Sequence, residues 1–134
     1  MNPPLSIGFF GRFGRSASLR ALDTALRALD LHPNLVPEAV KLTTVSMLID
    51  ETARADPGAE ATRAAAEIVA YCLIGADAFA GANGTGLTDE VERRMDAALA
   101  SGTNLDARLV LLALHARVIQ PSVVDHFKLE VASD

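Results

Sequence analysis

The chain has 134 residues, 12 basic side chains against 17 acidic ones, a formal charge of −5, one cysteine and no tryptophan. Half of it is apolar, enough for one buried core and too much for intrinsic disorder, although only 4% is aromatic. The lone Cys72 excludes a disulfide scaffold, and the acidic balance speaks against a general nucleic-acid binder, which needs clustered positive charge.

No uninterrupted apolar run approaches the roughly 18 to 20 residues of a membrane span; Ile68–Ile74 and Leu109–Leu114 are far shorter. The start, Met1-Asn2-Pro3-Pro4-Leu5-Ser6-Ile7, has no basic stretch leading into a sustained apolar one, so a cytoplasmic location is expected. With 24 Ala and 18 Leu, and few β-branched or aromatic residues, the composition is that of helices.

Residues 1–15 read as an irregular leader that packs on the bundle or on a partner. Pro3 and Pro4 discourage helix, and Gly8, Gly11 and Gly14 recur at every third position around Phe9, Phe10 and Phe13. Residues 16–134 read as one helical domain. A first helix starts at Ser16 or Ser18 as cap and carries the stripe Leu19, Leu22, Leu26 and Leu29, with Asp23 and Arg27 paired one turn apart. His32-Pro33 should end it. A second helix enters through Pro37 and is apolar on most sides, so it belongs in the middle of the fold.

Asp56-Pro57 marks the start of a third helix running to about Ala80. Ala61, Ala65, Ile68, Cys72, Gly75 and Phe79 recur on it at heptad-like spacing, a seam of small residues that lets another backbone approach closely. Gly81 to Gly86 reads as a glycine-rich loop. Thr88 then caps a fourth helix, with pairs Asp89–Arg93 and Glu90–Arg94 outside, Val91, Met95, Ala98 and Leu99 inside, and Gly102 at its end. A fifth helix starts near Thr103 or Asn104 and ends before Pro121, on the stripe Leu105, Leu109, Leu112, Ala116 and Ile119 with Leu111 enclosed on a flank. A short sixth runs from Pro121 to about Phe127. The expected fold is all-α, a compact bundle of five to six helices behind an irregular leader.

The chemistry-bearing motifs are sparse. The glycine run lacks the Lys and hydroxyl of a nucleotide-binding loop and follows a helix rather than a strand. Over a few residues, Ala82-Asn83-Gly84 with Thr88-Asp89-Glu90 resembles small tellurite-resistance-type helical domains. Asn stands where Asp is expected and there is no second copy, so the likeness assigns no family. His32, His115 and His126 are far apart, with no spacing that gathers metal ligands, and no serine-hydrolase elbow is present. His115, in an almost continuous apolar helix, is expected as a neutral core histidine. Glu60 and Glu67 beside Arg63 read as a solvated strip.

The reading these features favour is a non-catalytic protein without cofactor or metal that acts by association, as a homodimer. Its candidate contacts are Phe9, Phe10, Arg12, Phe13 and Arg15 of the leader and Ala61, Ala65 and Gly75 of the seam. Two alternatives stand beside it. Thr43, Thr44, Tyr71, Cys72 and His115 are polar or reactive groups on apolar elements, and could line a small-molecule or enzymatic pocket between helices two, three and five. The Arg/Phe leader could instead touch a membrane surface or a nucleic acid.

Overall fold

The computed structural model describes residues 17–129. Among these there are six helices and no strand: α1 over 17–28, α2 Glu38–Thr52, α3 Ala59–Asn83, α4 Thr85–Ser101, α5 Leu105–His115 and α6 Pro121–Phe127, with a 3-10 turn Pro33–Leu35 between α1 and α2.

α1 buries Leu22, Leu26 and Leu29, three of the four stripe residues, while Leu19 is half-buried. It closes through Asp30 in the left-handed region (φ 67), which lets Leu31 N–H reach back to the Leu26 carbonyl at 3.0 Å. The stop is therefore a C-terminal cap made before His32-Pro33 is reached. Ser18 lies inside the helix, its hydroxyl donating to the Ala55 carbonyl at 3.3 Å. Asp23 does not pair with Arg27 but accepts from Lys41 of α2 at 3.2 Å, a charge-assisted contact that ties the two helices.

α3 is the hub, touching α2, α4, α5 and α6. It is long and apolar enough to cross a membrane by length and composition, and 56% of its most apolar stretch is buried in the bundle. It is not the continuous rod that its spacing predicts. Gly75 sits at φ 88, ψ 166, outside helical space, and breaks the helix. The break frees the carbonyls of Cys72 and Leu73, which in an unbroken helix would accept from residues four further on. Gln120 takes both: its backbone N–H donates to Cys72 at 2.8 Å and its side-chain amide to Leu73 at 3.0 Å. The α5–α6 connection is thus stitched to the hub at its weakest point, and buried carbonyls are not left unpaired.

The glycine-rich run is not a loop. Residues 81–83 finish α3, Gly84 alone is non-helical (φ 92, ψ 156), and Thr85 and Gly86 begin α4. Thr88 does not cap α4; its hydroxyl bonds back to the Gly84 carbonyl at 2.8 Å. α4 and α5 meet at 92°. Gly102 in the left-handed region ends the first, and the Asn104 side chain caps the second by accepting from Ala107 N–H at 2.8 Å. α5 stops at His115 rather than running on to Pro121, so Ile119 lies in the connecting segment.

Arg94 holds three helices together. Its guanidinium forks onto both Asp106 oxygens of α5 at 3.1 and 3.0 Å, and reaches Glu67 Oε1 at 2.9 Å and the Ala64 carbonyl at 2.8 Å on α3. Glu67 also accepts from Arg63 at 3.3 Å. Glu67 is therefore half-buried in a network with Arg94 rather than part of a solvated strip, and the expected pair Glu90–Arg94 gives way to these longer-range partners.

Candidate functional site

Tyr71 is the largest side chain sealed inside the bundle. Its ring meets Phe79 and Phe127 edge-on, with centroids 5.7 and 6.2 Å away, and its hydroxyl donates to Glu92 Oε2 at 2.6 Å. Burial, then the contact with the Glu92 carboxylate, pushes the phenol well above its ordinary range. Next to it, burial alone pushes the Cys72 thiol up to about 12, so at neutral pH it is a protonated, inert small hydrophobe.

The five residues expected to line a pocket have separate employments. Thr44 is buried and its hydroxyl donates to the Val40 carbonyl at 2.8 Å. Thr43 is half-buried on α2, and Tyr71 and Cys72 belong to the packed core. His115 is exposed at the last turn of α5, contrary to the expected core histidine; an apolar neighbourhood in sequence does not fix which face turns inward. Of the seam residues, Ala65 is buried within the subunit, Gly75 is covered by Gln120 and Ser122, and Ala61 is half-buried. Phe9, Phe10, Arg12, Phe13 and Arg15 lie outside the described residues.

Of the five residues expected to line a pocket, Tyr71 borders one of the hollows found among the described residues. One of about 390 Å³ opens at the α3 break, bordered by Tyr71, Asp77, Ser122 and His126, with no hydrogen bond joining the last three. A trough of about 490 Å³ runs along α1, between Ala21, Ala25 and Ala28 and the facing Ala59, Thr62 and Leu87. A third, of about 240 Å³, lies where α4 and α5 diverge, lined by Leu99, Val110, Leu111, Leu114 and Leu129.

Two of the three large apolar side chains left exposed among the described residues stand at this third hollow: Leu99 at 46% and Leu111 at 43%. Both differ from the expectation of the sequence, which puts Leu99 on the inner face of its helix and Leu111 on an enclosed flank. Leu114 also borders a neighbouring hollow with Ile119 and Val124, so the apolar surface continues towards α6. The sequence puts both leucines on apolar helix sides; where α4 and α5 meet at 92° they remain nearly half exposed.

Among the described residues no cluster of three or more His, Cys, Asp or Glu is placed to hold a metal ion. Comparison of the chain with models of known families, with curated proteins and with solved structures finds no match.

Proposed function

We propose that the protein acts by association, binding a second copy of itself through the face that α4, α5 and the residues after α6 form around Leu99 and Leu111. The observation that carries this reading is the pairing of those two exposed leucines at one apolar hollow. Scattered exposed leucines are ordinary, whereas neighbouring ones around a concave apolar floor mark an interaction surface. A two-fold arrangement suits it, because the same patch then serves both copies and the leucine of one enters the hollow of the other. Lys128 provides a polar group at its edge, as a dry centre with a polar rim requires.

The test is sedimentation velocity on the wild type and on a variant carrying Leu99→Glu with Leu111→Glu. The wild type should sediment as a dimer at roughly tens of micromolar, the range of a weak homodimer, and the variant as a monomer with an unchanged helical circular dichroism spectrum. A monomeric wild type at that concentration, or a dimer that survives both substitutions, refutes the reading.

A further inference from the structure

Five polar or charged side chains are buried among the described residues: Ser18, Lys41, Thr44, Thr62 and Thr88. Ser18 donates to Ala55, Lys41 to Asp23, Thr44 to Val40 and Thr88 to Gly84. Thr62 is the exception: it is only 4% exposed, yet its hydroxyl has no hydrogen-bond partner among the described residues. Thr88 and Thr62 stand alike, each four residues after the glycine that precedes its helix. The Gly84 carbonyl accepts from both the N–H and the hydroxyl of Thr88, whereas the Gly58 carbonyl accepts only from the N–H of Thr62, at 3.1 Å. A buried hydroxyl without a bond is rare and destabilising, so packing alone gives no reason for threonine here.

Thr62 borders the 490 Å³ trough along α1, and so does the next residue, Arg63. The Arg63 guanidinium is 68% exposed and donates through Nε to Glu67 at 3.3 Å, while its two terminal nitrogens have no partner among the described residues. No carboxylate lines the trough; the rest of its wall is mostly apolar, with Ala21, Ala25 and Ala28 on the α1 side. Its volume is that of a small-molecule pocket, and an apolar wall with a few polar groups at one place is how such pockets fix a ligand's orientation. One guanidinium and one hydroxyl match a single negative charge, and the planar fork of arginine fits a carboxylate.

We propose that the α1 trough binds a small monocarboxylate with an apolar body, its carboxylate accepting from the Thr62 hydroxyl and the terminal nitrogens of Arg63 and its hydrocarbon lying against Ala21, Ala25 and Ala28. The site shares no residue with the self-association face, so either can hold without the other.

The test is calorimetric titration of the full-length chain with octanoate, and with octanol as the same body without the charge. Octanoate should bind saturably, one molecule per chain, and octanol at least about tenfold more weakly, the factor expected from losing a charge-assisted hydrogen bond. Arg63→Gln, at an exposed position, should weaken octanoate by a similar factor and leave octanol unchanged. Thr62→Val keeps the shape and removes the hydroxyl. It should weaken octanoate too, yet raise the melting temperature of the ligand-free chain, because it deletes an unpaired buried group. A threonine needed only for the fold would instead lower that temperature when replaced. No saturable octanoate binding, octanol binding as tight as octanoate, an octanoate affinity that either substitution leaves unchanged, or a lowered melting temperature in Thr62→Val overturns the proposal.

Discussion

Replacing Gly75 by alanine separates a broken α3 from a continuous one by the sign of its effect. In an unbroken helix, Gly→Ala stabilises by about 1 kcal/mol. At φ 88, ψ 166 the backbone is in a region that essentially only glycine enters, and forcing an L side chain there costs roughly 1–3 kcal/mol. The new Cβ would also stand 3.2 Å from Ser122 Oγ, closer than ordinary contact, with Gln120 Cγ at 3.6 Å behind it. Taken together the loss should be about 2–3 kcal/mol, a large share of the roughly 5–15 kcal/mol that holds a domain folded. At roughly 3–5 °C per kcal/mol for a chain this long, the melting temperature falls by about 6–15 °C. The measurement is a urea and a thermal melt followed by circular dichroism. Gly86→Ala is the control: Gly86 lies within α4, its added Cβ meets nothing within 4 Å, and the change should raise stability by about 0.5–1 kcal/mol. Adding Ser122→Ala to Gly75→Ala should recover the steric part of the loss and leave the backbone part. A Gly75→Ala protein as stable as the wild type, or more so, refutes the break and the role given to Gln120.

Arg94→Met should cost about 1–3 kcal/mol in urea melts, the larger values discounted because the side chain is 24% exposed; Arg94→Lys should recover little, since an ammonium cannot fork onto Asp106 while reaching Glu67. Cys72 should resist thiol reagents at neutral pH in the native protein and react promptly in denaturant. Because its folded pKa of about 12 lies above the ordinary value of 9.0, the unfolded state gives up the proton first as the solution turns alkaline. Its contribution to stability is complete below pH 9 and is lost towards pH 12, with Tyr71 acting in the same direction at still higher pH; Cys72→Ala should flatten the alkaline fall in denaturation midpoint, and an unchanged slope would contradict the burial assigned to the thiol. For the self-association face, each leucine is about half exposed, so covering it is worth about 1 kcal/mol; two leucines in each of two copies amount to about 4 kcal/mol. The double glutamate variant should therefore weaken dimerisation at least about thousandfold.

Several boundaries were legible because their causes are local. Gly102 followed by Asn104 separates α4 from α5, and Pro121 opens α6, since a left-handed glycine, a capping amide and a proline each act within one turn of where they stand. The leucines of α1 fall inside because their spacing leaves a helix one way to bury them. Gly75 was not legible: a single glycine in a periodic apolar run has the pattern of a helix interior, and what permits the break is Gln120, 45 positions later, taking the carbonyls it frees. The same distance hid the partners of Asp23 and Arg94, for neighbours one turn away are visible in a sequence and those on another helix are not. The site followed that rule. In a chain so rich in alanine and leucine, periodicity states which side of a helix is apolar, but the width of the covered stripe depends on how the helices cross. Composition thus determined that this protein is a helical bundle, while the packing of its helices, α4 and α5 meeting at 92°, decided that Leu99 and Leu111 stay partly exposed.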